Sequence, residues 1–208
     1  VTSGPGATNL VTGIATANYD SVPLVCFTGQ VARNLIGNDA FQEVDIVGIT
    51  RSICKYGITV QKREDLGRII KEAFYIARTG RPGPVVIDLP KDVMAELGSP
   101  EYPQTVNIRG YKPNTEVHIG QLKRAMKMLN KAKKPLFLAG GGVKIANAVE
   151  IFTKIVDITK IPVVTTIMGR GSIPTNHPLF IGNLGMHGAY AANMAVSECD
   201  LLFSIGTR

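Results

Sequence analysis

The sequence is short of most of what would announce a site by itself. Its three cysteines, Cys26, Cys54 and Cys199, are odd in number and lack metal-ligand spacing. That argues against a cysteine metal site and for buried free thiols of a reducing compartment. No apolar run reaches about 18 residues, so no transmembrane helix is expected. Aromatics make up only 6% of the chain, and no groove-reading feature accompanies its positive charge, which speaks against nucleic-acid binding. An initiator Met is also missing. The chain opens on Val1 and closes on Arg208 directly after an apolar run, so both ends read as cuts from a longer protein. A signal peptide on that parent stays open.

The net charge of +7 is uneven. Residues 1–95 hold 10 basic and 9 acidic side chains, and residues 96–208 hold 13 and 7. Much of the excess lies in Lys123, Arg124, Lys127, Lys131, Lys133 and Lys134. These fall off the Ile119/Leu122/Met126/Leu129 apolar stripe of one helix and read as a solvated face.

What is present is organised around Val85 to Leu89, an apolar run fenced by Pro82, Pro84 and Pro90. Prolines cannot donate to a sheet ladder, so they mark where a strand begins and stops. The lack of alternation predicts a strand buried on both faces, as in a parallel sheet, with Arg81, Lys91 and Asp92 at its two ends. Before it, Gly4-Pro5-Gly6 predicts a turn into a helix, either plain or with backbone N–H groups facing a ligand. Val22 to Phe27 predicts a strand and Thr28-Gly29-Gln30 a turn. Val31 to Ala40 reads as an exposed loop, and Phe41 starts a short helix towards Thr50. Phe41 and Gln42 there are either core and cap or the lining of a cleft. Cys54 to Val60 predicts a strand, and Asp65 to Arg78 an amphipathic helix.

Gly98 to Pro113 is polar, proline-rich and aperiodic, which suits an interdomain linker. The expected domains are therefore 1–95 and 116–208, with 96–115 between them. The second opens with the basic helix, then a strand at Pro135 to Ala139, the turn Gly140-Gly141-Gly142 and a helix from Ala146 to Ile158. That is a nucleotide-binding type of unit. The fingerprint G-x-G-x-x-G is not met, however, and the next strand, Pro162 to Thr166, ends without an acidic residue for a ribose. An NAD domain is disfavoured. Thr166 to Gly169 and Gly182 to Gly188 are expected as loops on the same sheet edge. His187 is a turn residue or, with three glycine-bearing loops there, part of a ligand edge. A helix at Ala189 to Ser197 and a strand at Leu201 to Ile205 follow.

Several motifs carry a resemblance that covers essentially the whole chain. They are Ser3-Gly4-Pro5-Gly6-Ala7-Thr8-Asn9, Asp20-Ser21-Val22-Pro23, Asp39-Ala40-Phe41-Gln42-Glu43, Gly80-Arg81-Pro82-Gly83-Pro84 with Pro90-Lys91-Asp92, and Leu184-Gly185-Met186-His187-Gly188. Together they resemble the catalytic large subunits of the acetolactate synthase (acetohydroxyacid synthase) family, which are thiamine-diphosphate enzymes. The resemblance implies part of a parallel-sheet pyrimidine-binding domain followed by a parallel α/β central domain associated with flavin. It implies thiamine diphosphate, Mg²⁺ and FAD as cofactors, pyruvate and 2-oxobutyrate as substrates, a homodimer or tetramer, and a regulatory small subunit.

It also implies roles for residues. Gln42 lies by the cofactor pyrimidine; Ser21, Phe41, Lys55 and Lys91 lie near the substrate channel. FAD is held by Arg81, Gly140, Gly141, Gly142, Thr166, Ile167, Leu184, Gly185, Met186, His187, Gly206 and Arg208. The catalytic glutamate is expected before Val1 and the metal–diphosphate motif after Arg208, so no catalytic residue and no metal ligand is expected here and the piece alone is expected to be inactive. Ala32 and Arg170 depart from the common Pro and Leu. Rival readings are a glyoxylate carboligase, a pyruvate oxidase, or an isolated nucleotide-binding module. The family works in the cytoplasm of bacteria and archaea and in the plastid or mitochondrion of eukaryotes.

Overall fold

The computed structural model describes residues 1–99 and 101–208. Two compact units divide them, Val1–Thr115 and Glu116–Arg208.

The first unit runs α1 (Pro5–Thr8), α2 (Val11–Asp20), β1 (Leu24–Gln30), α3 (Ile46–Thr50), β2 (Tyr56–Thr59), α4 (Leu66–Arg78), β3 (Pro84–Pro90) and α5 (Lys91–Ala95). Its sheet is parallel, in the order β1-β3-β2. The central place of β3 explains its apolar sequence. Val85 and Ile87 pack with Ile69, Ala73, Ile76 and Ala77 of α4, while Val86 packs with Ile14 and Cys26. Residues from the polar 96–115 stretch pack onto this unit, Ile108 and Tyr111 joining the α4 cluster.

Two differences from the sequence reading have physical causes. Thr28-Gly29-Gln30 continues β1 and is not a turn, because Thr28 and Gln30 are buried and hydrogen-bond inwards to Asp88 on β3. The helix expected from Phe41 begins only at Ile46, where the Asp45 carboxylate accepts the Gly48 N–H at 2.8 Å. An N-cap of this kind sets the start of a helix more firmly than the residues before it.

The second unit runs α6 (Ile119–Lys131), β4 (Pro135–Ala139), α7 (Gly142–Ile145), α8 (Val149–Thr159), β5 (Val163–Thr165), β6 (Phe180–Asn183), α9 (Tyr190–Glu198) and β7 (Leu201–Ile205). The four strands are parallel, in the order β6-β5-β4-β7. One face buries Phe137 edge-on to both Phe152 and Phe203, with Val156 and Leu129. The other buries Leu136, Val164 and Ala192.

The helix expected from Ala146 to Ile158 is present but starts three residues later, and a separate short helix precedes it. α7 stops at Ile145, Asn147 takes φ 52°, and α8 starts at Val149. Asn tolerates this left-handed backbone well. β6 occupies part of a stretch read as loop, since Gly182 at φ 142° weakens its strand signal. Of the apolar stripe on α6, only Leu129 is buried, and Ile119, Leu122 and Met126 remain exposed.

Candidate functional site

Each unit has a parallel sheet, so each has one edge where all strands end and the loops gather. Ligands of open α/β sheets bind at that carboxyl edge.

In the first unit the edge is built around Gln30, Lys91 and the two loops that meet above them. The N-terminal segment runs beside β1, the Val1 amino group donating to the Phe27 carbonyl and the Gly29 N–H to the Val1 carbonyl, both at 2.9 Å. This brings Gly4 against Gln42. Gly4 has φ 58°, and a Cβ there would lie 2.8 Å from the Gln42 carbonyl oxygen and 2.9 Å from the Gln42 Cβ. Glycine is therefore required at that position by close approach as well as by backbone angle.

Gln42 itself takes φ 60°, an uncommon conformation for a residue with a side chain and one that marks a constrained loop. Phe41 is 88% exposed, so it is neither core nor cap. The loop is tied internally by Glu43, whose carboxylate accepts the N–H groups of Gly37 and, at 3.0 Å, of Ala40. These amides hold the Glu43 carboxyl below the usual range. A cavity of about 420 Å³ at this edge is lined by Thr2, Phe27, Thr28, Gln30, Leu89, Lys91 and Met94, among others. Among the described residues the Lys91 ammonium has no hydrogen-bond or ion-pair partner, whereas its neighbour Asp92 is committed. Arg33 donates to Asp92 from Nε at 2.6 Å and from its backbone N–H at 3.0 Å, which lowers the Asp92 pKa.

Ser21, Lys55 and Arg81 lie at the opposite, amino edge of the same sheet, because they precede β1, β2 and β3. A strand the length of β3 separates the two edges by about 20 Å. Arg81 Nε donates to Ser21 Oγ at 2.8 Å, and the same guanidinium reaches the Asn18 carbonyl. The Lys55 ammonium donates to the carbonyls of Ile76 and, at 2.7 Å, Thr79, and to the Tyr111 hydroxyl at 3.0 Å. The structure thus brings Phe41, Gln42 and Lys91 to one edge and does not bring Ser21 or Lys55 to them.

In the second unit the residues expected around FAD, Arg81 apart, all follow strand ends on one edge. Gly140, Gly141 and Gly142 follow β4; Thr166 and Ile167 follow β5; Leu184, Gly185, Met186 and His187 follow β6; Gly206 and Arg208 follow β7. The chain steps from β4 to β5 and β6 on one side and returns to β7 on the other, so the β4/β7 cleft is the topological switch point. Here the glycines serve the chain itself. The Gly140 N–H donates to Ile205 and the Gly142 N–H to Gly206, each at 2.9 Å. A Cβ on Gly140 would lie 2.2 Å from the Gly206 carbonyl oxygen. Two of the amides expected to face a phosphate are therefore already used.

The rest of the edge is more open. Ile167, Met186 and His187 are exposed. Thr166 Oγ1 accepts the Gly169 N–H at 3.0 Å and keeps its own O–H to donate. Asn193 straps Gly185, accepting its N–H at 3.0 Å and donating to its carbonyl at 2.9 Å.

Sequence reasoning missed Asp88, Gln30, Glu43 and Asn193. Asp88 carried a visible signal, since an acid inside a strand buried on both faces must have dedicated partners. Among the described residues no group of three or more His, Cys, Asp or Glu side chains could hold a metal ion, and no helix is long and apolar enough to cross a membrane.

Two parallel α/β units, one with a Gly-Pro-Gly turn against an exposed Phe-Gln loop, define a class. The chain belongs to the thiamine pyrophosphate enzymes: residues 1–49 match the N-terminal TPP binding domain of that family and residues 122–208 match its central domain. Its relatives are more specific. The chain is 51% identical over its full length to the acetolactate synthase large subunit of Buchnera aphidicola subsp. Schizaphis graminum, 52% to the probable acetolactate synthase large subunit of Methanocaldococcus jannaschii, and 49% to the acetolactate synthase isozyme 3 large subunit of Escherichia coli K12. It spans 37%, 36% and 37% of those proteins, so it corresponds to a segment of such a subunit.

Proposed function

We propose that the parent protein is an acetolactate synthase, which decarboxylates pyruvate and transfers the two-carbon unit to a second 2-oxo acid, pyruvate or 2-oxobutyrate. The observation that carries this reading is the meeting of Gly4 and Gln42 on the sheet edge that also holds the Lys91 cavity. Thiamine diphosphate supplies the carbon nucleophile that the decarboxylation needs. In this chain the Gln42 carboxamide, able to donate and accept, suits the pyrimidine ring. Phe41, exposed in this chain, offers an apolar surface for the substrate channel. The unpartnered ammonium of Lys91 suits a substrate carboxylate.

We assign FAD to the carboxyl edge of the second sheet. The fit is partial, since the Gly140 and Gly142 amides are occupied, and it rests on the Thr166 hydroxyl and the exposed Ile167, Met186 and His187. Mg²⁺ belongs with the cofactor diphosphate, and these 208 residues hold no Gly-Asp-Gly…Asn motif for it; the isolated chain is accordingly inactive in this reading. The relatives' naming as large subunits supports a catalytic oligomer with a regulatory small-subunit partner.

The test is an assay of the parent protein supplied with pyruvate, thiamine diphosphate, Mg²⁺ and FAD. Acetolactate is the expected product. Stoichiometric peroxide, or turnover only with glyoxylate, would assign the protein to another branch of the family.

A further inference from the structure

Asp88 interrupts the most thoroughly buried strand of the first unit, and it is 1% exposed. A carboxylate taken out of water at such a place is costly unless its oxygens are satisfied. Three donors satisfy it: Thr28 Oγ1 to Oδ1 at 2.7 Å, and Gln30 Nε2 at 3.2 Å and Thr59 Oγ1 at 3.1 Å to Oδ2. Burial pushes the Asp88 carboxyl up, and these hydrogen bonds oppose it.

The donors are not equivalent. Thr28 and Thr59 end at Asp88, but Gln30 passes the connection on. Its Oε1 accepts the Val31 N–H at 2.9 Å, and its Nε2 donates both to Asp88 and, at 2.8 Å, to the Val44 carbonyl. A carboxamide has one acceptor end and one donor end. An ionised carboxylate only accepts, so Asp88 selects the end of Gln30 that faces it and leaves the second N–H aimed at Val44. Val44 closes the loop that carries Phe41 and Gln42, and Glu43 makes that loop rigid within itself. The Gln30 amide is where this rigid loop is fastened to the sheet.

We propose that Asp88 is a positioning residue for the candidate thiamine-diphosphate site: through the Gln30 carboxamide it holds the Val44 carbonyl, and with it the loop presenting Phe41 and Gln42. It touches neither cofactor nor substrate. The inference rests on the reading of Gln42 as a cofactor contact. It differs from a general stabilising role, in which every donor to Asp88 would matter alike.

The experiment uses the cofactor-stripped parent protein as wild type and as Asp88→Asn, Gln30→Met, Thr59→Val and Gln42→Ala. Hydrogen exchange of amides 37–44 is followed by mass spectrometry, and thiamine-diphosphate affinity is measured by calorimetry with Mg²⁺ present. Gln30→Met keeps the side-chain size and removes the fastening, so it carries the test even if Asp88→Asn folds poorly. Losing one such bond is expected to speed loop exchange and weaken cofactor binding about five- to tenfold in both variants. Thr59→Val, which removes a donor on β2 that leads nowhere, leaves loop exchange at the wild-type rate. Equal loosening by Thr59→Val and Gln30→Met, or an unchanged loop in Gln30→Met, overturns the proposal. If the loop loosens but neither Gln30→Met nor Gln42→Ala changes cofactor affinity, the fastening stands and the cofactor role of Gln42 falls.

Discussion

The ammonium of Lys55 lies 2.7 Å from the carbonyl oxygen of Thr79, the residue that ends α4. It also donates to the Ile76 carbonyl and to the Tyr111 hydroxyl, and it sits over the Tyr111 ring. A cation at a helix C-terminus meets carbonyls with no partner inside the helix and the negative end of the helix dipole. Lys55 therefore joins the start of β2, the end of α4 and the 96–115 stretch, and its role in this unit is architectural.

Lys55→Met is expected to destabilise the 208-residue chain by about 1.5–3 kcal/mol, the range for hydrogen bonds from a charged group. Tyr111→Phe, which removes only one hydroxyl, is expected to cost about 1 kcal/mol. Urea unfolding followed by far-ultraviolet circular dichroism measures both. A Lys55→Met midpoint equal to wild type would mean that the ammonium contributes nothing there.

Gly140→Ala is expected to damage the second unit before any ligand is considered. Its Cβ would lie 2.2 Å from the Gly206 carbonyl oxygen, so β4 or β7 must shift, at about 1–3 kcal/mol or more. Thermal melts of the ligand-free chain should show the loss. Unchanged melting with flavin binding abolished in the parent would instead make Gly140 a ligand glycine.

Gln42→Ala and Lys91→Ala, made in the parent protein, are expected to fail differently. Removing the Gln42 carboxamide costs about 1–3 kcal/mol in cofactor affinity, which excess thiamine diphosphate partly restores. Removing the Lys91 ammonium raises the Michaelis constant for pyruvate or lowers turnover, with cofactor affinity little changed. Steady-state kinetics with each ligand titrated separates the two. Wild-type behaviour of Lys91→Ala in both titrations rules out its assigned role.

Asp88→Asn is expected to differ from wild type in a pH-dependent way. Burial raises the Asp88 pKa in the folded chain, while the unfolded chain keeps the ordinary value of about 3.9. The folded state thus holds this proton more tightly. The resulting stability is complete below the unfolded pKa and is lost as pH rises through the folded one. The variant has no such titration, so the wild-type advantage should be largest below the unfolded pKa and shrink as the pH rises above it. The lowered pKa values of half-buried Glu43 and Asp92 and of exposed Asp200 give the opposite slope, but both proteins share them. A gap that widened with pH would show that the fold favours the Asp88 anion.

Much of this architecture could be read from the chain because apolar periodicity reports burial directly. β3 was legible from its prolines and unbroken apolar run, and α4 from the spacing of Leu66, Ile69, Ile70, Ala73, Phe74 and Ala77, although Phe74 lies exposed and Ile76 takes its place in the core. The end of β1 was not, since Thr28 and Gln30 look like turn residues until Asp88 supplies their partner from 58 to 60 positions away. β6 was hidden by Gly182. For the site, the Gly4 and Gln42 motifs were visible singly, but their contact depends on the N-terminal segment lying along β1. That pairing leaves no local signature. The amino-edge positions of Ser21 and Lys55 likewise depend on which end of a strand a residue precedes.

The contact of Gly140 with Gly206 sets a rule for what the second sheet edge can become. Where two main chains touch without side chains between them, the floor of the cleft cannot be deepened by substitution, because every replacement adds atoms. A flat ligand must lie across such a floor and cannot slide between the strands. In the flavin reading proposed above, selectivity is then left to the rim, at Ile167, Met186 and His187, whose exposed side chains can be exchanged without disturbing the floor. The edge is therefore divided between a part that lineages must keep and a part that they are free to rewrite.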